Sequence, residues 1–367
     1  MRFAFIANGL GYGGAEKMLS FVAAELHMRG HNVTIFNLNH HTDIYQRVPD
    51  GVKIINADFS CKNKKLLYIK RLLFCVRSAK EYKPDIIISF LLFPNLFGVL
   101  TGKILGIPSI VSERGDPYVE NANNNVLEQI IFKIICQADG AVFQTDGAAK
   151  FYPVSLQSRS VVIPNPVSID KQFTPIDYFK RDNILISLCR LENYQKRLDV
   201  LIDSFEIFHH KHPDYVLYIY GSGPDKEIIE TQIKEKGLGE FIFLKGVSHN
   251  SFEELSRARI FAISSDYEGI SNSLLEAMAV GMPVVSTDHS PGGARYLISD
   301  GENGLLVPVR DSIKFANALG RFASDESFAY ECGQKASKVL DRFSPSKIVD
   351  MWENYLLSKL DNRVDEK

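Results

Sequence analysis

Short apolar runs, many rich in Val and Ile, recur along the chain and alternate with longer stretches in which apolar positions return every three or four residues. The runs read as buried strands and the longer stretches as amphipathic helices. In the first half the predicted strands are Arg2–Ala7, Asn32–Leu38, Asp85–Ser89, Ser109–Ser112, Gly140–Gln144 and Ser160–Ile163. In the second half they are Asn183–Cys189, Tyr215–Tyr220, Phe241–Leu244, Ile260–Ile263 and Pro283–Ser286. Strand and helix in strict alternation predict βαβ units, parallel sheets and an α/β fold. The pattern starts afresh at Ile184, after a polar, turn-rich stretch from Pro164 to Asn183 that reads as a linker. We therefore expect two Rossmann-like parallel-sheet domains facing a cleft, residues 1–170 and 171–345, with ligands at the C-terminal strand ends. A last apolar stripe, Ile348, Met351, Trp352, Tyr355 and Leu356, predicts a helix over Lys347–Leu360. Residues 346–367 are expected to cross back onto the first domain.

The stretch Asp266-Tyr267-Glu268-Gly269-Ile270-Ser271-Asn272-Ser273-Leu274-Leu275-Glu276 joins a predicted strand to a predicted helix. It places Glu268 on the loop and Glu276 about two turns into the helix, with the amides of Gly269, Ile270 and Ser271 at the helix N-terminus. Free N–H groups at a helix N-terminus attract anions. A carboxylate beside them suits hydroxyls instead. Phosphate together with hydroxyls describes a nucleotide sugar.

Composition narrows the class. With 45% hydrophobic and 23% charged residues and a net charge of −2, the chain is an ordinary globular sequence without a global charge that recruits nucleic acid. Cys61, Cys75, Cys136, Cys189 and Cys332 have no Cys-x-x-Cys spacing and read as reduced thiols, not a disulfide frame or zinc site. Arg2–Ala7 is too short for a signal peptide, and Phe90–Ile107 is interrupted by Pro94-Asn95 and Lys103. The expectation is a cytoplasmic protein, peripheral on the inner face of the cell membrane at most.

Several loops carry candidate chemistry. Gly9-Leu10-Gly11-Tyr12-Gly13-Gly14-Ala15-Glu16 fits a dinucleotide fingerprint formally, yet the second strand ends Asn37-Leu38-Asn39-His40-His41 and the first acid is Asp43. What survives is a glycine loop that admits a ligand at a helix N-terminus, or a plain tight turn. Arg190-Leu191-Glu192-Asn193-Tyr194-Gln195-Lys196-Arg197 suits a diphosphate or is a solvated basic face. Tyr220-Gly221-Ser222-Gly223-Pro224 reads as a close-approach loop with Pro at a helix's first turn. Pro164-Asn165-Pro166 reads as a rigid connector. In Ser112-Glu113-Arg114-Gly115-Asp116-Pro117, Glu113 or Asp116 orients an acceptor hydroxyl and Arg114 holds a phosphate, or the group is a surface ion pair. Asp266-Tyr267-Glu268 makes a poor metal cage beside Arg190 and Lys196, so no metal is expected. From Lys62 to Lys83, basic residues interleave with Leu66, Leu67, Ile69, Leu72, Leu73 and Phe74. That stretch binds an anionic membrane surface, or is a solvated face over a core-facing stripe.

Taken together, Glu268-x7-Glu276, the Gly-Gly-Ala-Glu loop, Arg190 with Lys196, Gly221-Ser222-Gly223-Pro224 and Asn165-Pro166 resemble the retaining glycosyltransferases of family 4, which have the GT-B fold. The likeness spans nearly the whole chain in order and is strongest to bacterial members that build capsular, exopolysaccharide, O-antigen or lipid-linked glycans. It implies an N-terminal acceptor-binding domain and a C-terminal nucleotide-sugar-binding domain. Arg190 and Lys196 would hold the donor diphosphate, with the amides of Gly269–Ser271 on its distal phosphate. Glu268 would meet the transferred sugar and Glu276 the ribose. Gly13, Gly14, Gly221 and Gly223 would line the donor site, and Gly14, Glu113 and Arg114 the acceptor side. Two departures stand out: Arg114 occupies a place where many members have His, and Cys189 replaces the Gly before the phosphate-binding Arg.

The activity so implied is metal-independent transfer of a hexose or N-acetylhexosamine, with retention, from a nucleotide sugar to a glycan or polyprenyl-linked acceptor. UDP is favoured over GDP on family frequency. No further cofactor and no nucleic acid are expected. The rival readings are a nucleotide-sugar epimerase or NAD-dependent enzyme on a similar fold, and a non-catalytic nucleotide-sugar-binding protein.

Overall fold

A computed structural model of the chain describes residues 1–11, 13–39, 48–59, 63–120, 126–170 and 172–364. The chain divides into two compact units, Met1–Asn165 with Ser346–Lys367, and Pro166–Pro345.

The first unit holds β1 (Arg2–Ala7), β2 (Asn32–Asn37), β3 (Lys53–Asn56), β4 (Ile86–Phe90), β5 (Ser109–Ser112), β6 (Gly140–Phe143) and β7 (Ser160–Val162) in the order β3-β2-β1-β4-β5-β6-β7. Every neighbouring pair is parallel. Ile86-Ile87-Ile88 of β4, with Phe3 and Phe5 of β1, are fully buried, as central strands covered by helices on both faces must be. The second unit repeats the plan with β8 (Asp182–Leu188), β9 (Val216–Tyr220), β10 (Ile242–Gly246), β11 (Ala258–Ile263), β12 (Val284–Thr287) and β13 (Leu305–Val307), ordered β10-β9-β8-β11-β12-β13 and again parallel throughout. The α/β class with two parallel sheets is thus as the periodicity predicts.

Two strands escape that reading, β3 and β13. Both are short and lie at sheet edges. β3 is only half-buried, and its Lys53 and Asn56 ends are exposed, so it lacks the apolar run of a central strand.

The helices follow their stripes. In Leu198–His209, Leu198, Leu201, Ile202, Phe205 and Phe208 are buried in the second core, at the spacing that keeps one face inward. In Lys64–Tyr82, Asn63 caps the N-terminus by accepting from the amides of Lys65 (3.0 Å) and Leu66 (3.3 Å). Leu72, Phe74, Cys75 and Ala79 face the first core. Lys62 lies outside the described residues, as do Tyr12, His40, His41, Asp43 and Cys61. Cys75, Cys136, Cys189 and Cys332 are free thiols. The Phe90–Ile107 stretch is the end of β4 followed by the helix Leu92–Leu105, and no described helix is long and apolar enough to cross a membrane.

The last helix runs Pro345–Val364 and packs within the first unit. Trp352 is completely buried and stacks on Phe90 at the end of β4, with centroids 5.7 Å apart. The Tyr355 hydroxyl accepts from Ala141 N–H of β6 at 2.9 Å.

Candidate functional site

In both sheets the strand order reverses between two neighbours, β1 and β4 in the first unit, β8 and β11 in the second. Loops leaving the C-terminal ends of such a pair diverge to opposite faces and open a crevice for ligands. In the second unit those loops are Cys189–Arg197 and Ser264–Ser271, the two runs richest in candidate chemistry.

They are laced together. The Ser264 hydroxyl donates to the carbonyls of Lys196 (2.8 Å) and Arg197 (2.9 Å). Asp266 N–H donates to Gln195 O at 2.9 Å, and the Gln195 side-chain amide to Tyr267 O at 3.1 Å. Arg197, held in the left-handed region at φ 50°, separates the helical turn Asn193–Lys196 from the helix Leu198–His209. This kink leaves Lys196 on the crevice side, where its Nζ lies 2.6 Å from Glu268 Oε1. The same oxygen accepts from the Ser265 hydroxyl at 2.5 Å, leaving Oε2 for a ligand. Burial pushes the Glu268 carboxyl up, but Lys196, His289 and the hydrogen bonds from Lys196 and Ser265 outweigh it and hold the group below the usual carboxylate range.

Asp266 has cations of its own. Arg197 approaches its Oδ2 at 3.3 Å and Arg310 at 2.7 Å. The Asp-x-Glu pair is therefore two separate ion pairs, not two bare carboxylates. The Arg190 side chain is 64% exposed and its guanidinium lies 3.4 Å from Glu192 Oε2. Its guanidinium can swing to an incoming anion. Behind it, burial pushes the Cys189 thiol up to about 11, which makes it an inert packing group.

Gly221 and Gly223 are required by close backbone contact. A Cβ on Gly221, at φ +145°, would stand 1.8 Å from Cys189 O, and one on Gly223 would stand 2.3 Å from Leu191 O. Leu191 N–H also donates to Ser222 O at 3.0 Å. These glycines seat the Arg190 loop by close backbone contact. Pro224 precedes the cap Asp225 of the helix Lys226–Glu235 instead of lying in its first turn.

After Glu268, Ser271 caps the helix Asn272–Ala279, its hydroxyl accepting from Leu274 N–H at 3.4 Å. Gly269 and Ile270 lead into that cap. Glu276 is the fifth residue of the helix, so it stands a little over one turn in, not two, and is half-buried. Gly293, in the loop after β12, is required by contact: a Cβ there would lie 1.7 Å from Gly269 O.

In the first unit, Gly13 is the N-cap of the helix Gly14–Met28 and a Cβ on it would strike the Glu16 carboxylate, which folds back over the helix N-terminus. β2 ends at buried Asn37, whose side chain donates to Asn56 at 2.9 Å, where a dinucleotide site would have an acid. Glu113, Arg114 and Asp116 are all buried, which overturns the surface-ion-pair alternative. Glu113 accepts from the amides of Arg114 (2.9 Å) and Gly115 (3.2 Å) and from the Tyr152 hydroxyl (2.9 Å). The Arg114 guanidinium lies 5.2 Å from the Phe90 centroid and 5.4 Å from that of Trp352 and donates to Ile163 O and Asn165 Oδ1. Burial pushes it down to about 9. It packs the last helix onto the sheet.

Sequence reasoning did not single out Ser265, His289, Gly293 or Arg310. The Gly292-Gly293 pair just after a predicted strand was the one local signal available. Among the described residues no three His, Cys, Asp or Glu side chains gather as metal ligands.

Comparison with known proteins agrees with the fold. Residues 12–171 match the family model described as Glycosyltransferase Family 4, and residues 168–339 that of Glycosyl transferases group 1. A Campylobacter jejuni α-1,4-N-acetyl-D-galactosaminyltransferase that acts on an undecaprenol-linked glycan is 26% identical over 357 residues, 96% of this chain and 97% of that one. A Bacillus subtilis poly(glycerol-phosphate) α-glucosyltransferase is 27% identical over 241 residues, 65% of this chain but 35% of that one, so this chain spans about a third of that relative's length. Among solved structures, the lipopolysaccharide outer core galactosyltransferase WaaB superposes with a TM-score of 0.79 at 22% identity, covering 98% of this chain and 100% of that one. Anabaena HepE in complex with UDP superposes at 0.78 and 18% identity, again over 98% and 100%.

Proposed function

This chain belongs to the family 4 type glycosyltransferases with the GT-B fold, and on that premise we propose that it transfers a hexose or N-acetylhexosamine from a UDP-sugar to a hydroxyl of a glycan or polyprenyl-linked acceptor in cell-surface polysaccharide synthesis. The observation that carries the reading is the Lys196–Glu268 pair at the sheet's switch point, with exposed Arg190 on the neighbouring loop. The UDP named with HepE and the lipid-linked glycan named for the Campylobacter relative support the donor and acceptor classes.

Cleaving the anomeric C–O bond puts negative charge on the departing diphosphate and positive charge on the sugar. Arg190, the Lys196 ammonium and the amides leading into the helix Asn272–Ala279 stabilise the first. Glu268, anchored through Oε1, offers Oε2 to sugar hydroxyls, and Glu276 meets the ribose. With Arg190, Lys196 and the helix N-terminus to take up the diphosphate charge, the reaction needs no metal. Retention follows a front-face route in which the acceptor attacks beside the leaving phosphate, and that phosphate takes the acceptor proton. The N-terminal unit binds the acceptor, with Gly14 and the Glu113 loop as its candidates. Arg114, packed against both the Phe90 and Trp352 rings, shapes that loop from behind.

The partner surface is an anionic bilayer on the cytoplasmic side. On the helix Lys64–Tyr82, Leu66, Ile69 and Leu73 are 44%, 56% and 62% exposed and share their outward stripe with Lys65, Arg77 and Lys80. A solvated helix would put its apolar residues inward. An outward face that is both apolar and cationic matches an acidic membrane surface.

The test is calorimetry and thermal shift against UDP, GDP, ADP and their sugar conjugates, in EDTA, followed by transfer assays with the conjugate that binds. Stabilisation by UDP and a UDP-sugar in EDTA, with release of UDP on adding acceptor, is expected. Binding of NAD alone, or tight binding without transfer or slow hydrolysis, would overturn it. For the membrane face, Leu66→Ser/Ile69→Ser/Leu73→Ser should abolish cosedimentation with phosphatidylglycerol vesicles while leaving UDP-sugar binding unchanged.

A further inference from the structure

His289 lies two residues beyond β12, in the loop that pairs with the Glu268 loop. It is 1% exposed. Its Nδ1 is 3.2 Å from Ser290 O. A carbonyl can only accept, so Nδ1 carries the ring proton and Nε2 is left as a lone-pair acceptor. Nε2 is buried and has no hydrogen-bond partner among the described residues. The Ser290 carbonyl that faces the ring also accepts Glu268 N–H, at 2.9 Å. The ring and the Glu268 backbone thus share one acceptor.

The charged groups facing the ring are Glu268, Lys196 and Asp288. Burial, with Lys196, disfavours the imidazolium; Glu268 and Asp288 favour it; burial prevails and holds the ring below the ordinary histidine range. Asp288 is itself paired with Arg295.

We propose that His289 is a positioning residue of the donor site: it fixes the Glu268 loop through the shared Ser290 carbonyl and, as a neutral ring, leaves the Glu268 carboxylate to Lys196. The inference rests on the donor-site reading above. Its consequence is specific. A proton added at Nε2 turns a buried acceptor into a cationic donor beside Glu268, which then competes with Lys196 and with the sugar hydroxyls. Donor affinity should therefore fall as pH drops through the lowered pKa of the ring. A nucleotide sugar, being a diphosphate diester, has no group of its own titrating there.

The experiment measures calorimetric Kd for UDP-glucose, UDP-galactose and their N-acetylamino counterparts on the full chain, at about pH 7.5 and about pH 5.5, and carries forward the one that binds best. In the wild type, affinity for that sugar should fall measurably from the higher pH to the lower. His289→Gln should bind it about fivefold more weakly at the higher pH and lose the pH dependence, while UDP alone at that pH binds as in the wild type. His289→Asn is the second variant should the Gln side chain not fit. A His289→Gln or His289→Asn protein that keeps both wild-type affinity and the wild-type pH dependence overturns the inference and leaves the donor site standing. If no UDP-sugar binds the wild type, the donor-site reading fails and takes the inference with it.

Discussion

Replacing Lys196 by Met removes a charge while keeping most of the side chain's length. What remains is the Glu268 carboxylate, only 8% exposed, with the Ser265 hydroxyl as its nearest support. Breaking a buried pair by deleting one partner costs about 3–5 kcal/mol, most of it the penalty of an uncompensated charge. Because Ser265 stays bonded to the carboxylate, the lower figure, about 3 kcal/mol, applies. For a unit of this size about 2–4 °C per kcal/mol translates that into a fall in Tm of about 6–12 °C at neutral pH. The pH dependence has a definite sign. In the wild type, Glu268 titrates below its unfolded value. Its stabilisation is thus present above the unfolded pKa and lost as pH falls through the folded one. Without Lys196, burial wins and the folded pKa rises above the unfolded one. The variant is then relatively stronger in acid and loses stability as pH rises through the folded value. The gap between variant and wild type should therefore narrow as pH falls from neutrality towards 4.5, the group's ordinary pKa. Lys196→Met/Glu268→Gln, which removes the orphaned charge, should regain about 2 kcal/mol of the loss yet stay defective in donor binding. Scanning calorimetry of the three proteins across pH is the assay. A Lys196→Met melting point equal to wild type at neutral pH, or a double variant no more stable than the single, would refute the reasoning.

Two further substitutions probe the scaffold. Gly293→Ala sets a methyl 1.7 Å from Gly269 O, so the loop after β12 and the Glu268 loop must part; a cost of about 1–3 kcal/mol by thermal melt and a marked loss of UDP-sugar affinity are expected, and wild-type values for both would count against the contact. Trp352→Ala empties a fully buried site against Phe90 and the Arg114 guanidinium and should cost about 3–5 kcal/mol in urea unfolding followed by circular dichroism. Since Trp352 is the chain's single tryptophan, wild-type fluorescence reports the docking of the last helix directly.

Much of the architecture is legible along the chain because central strands of a parallel sheet are buried on both faces and must be written as continuous apolar runs. Ile86-Ile87-Ile88 and Val284-Val285 leave little room for another reading. β3 is not legible, because an edge strand is paired on one side only and needs no such run, and β13 is an apolar Leu305-Leu306-Val307 of just three residues. The helix Lys64–Tyr82 shows the same limit. Its composition announces a basic amphipathic element, but only packing shows that Leu72 and Phe74 turn inward while Leu66, Ile69 and Leu73 do not.

The site divides in the same way. Residue type and loop position were enough to single out Glu268, Lys196 and Arg190, since strand-to-helix loops in an alternating pattern lie at the C-terminal edge of a sheet. That Lys196 closes on Glu268, that Gly221 and Gly223 exist to seat the Arg190 loop, and that Arg114 is a buried packing group all depend on which loops the strand order makes neighbours. His289 and Gly293 belong to the same class, for they reach Glu268 only because β12 lies beside β11. Local periodicity is a property of neighbours along the chain, so the sequence by itself determined the elements and their class. Charge pairing and close backbone contact act between residues distant along the chain, so only the tertiary structure decided how the site is assembled.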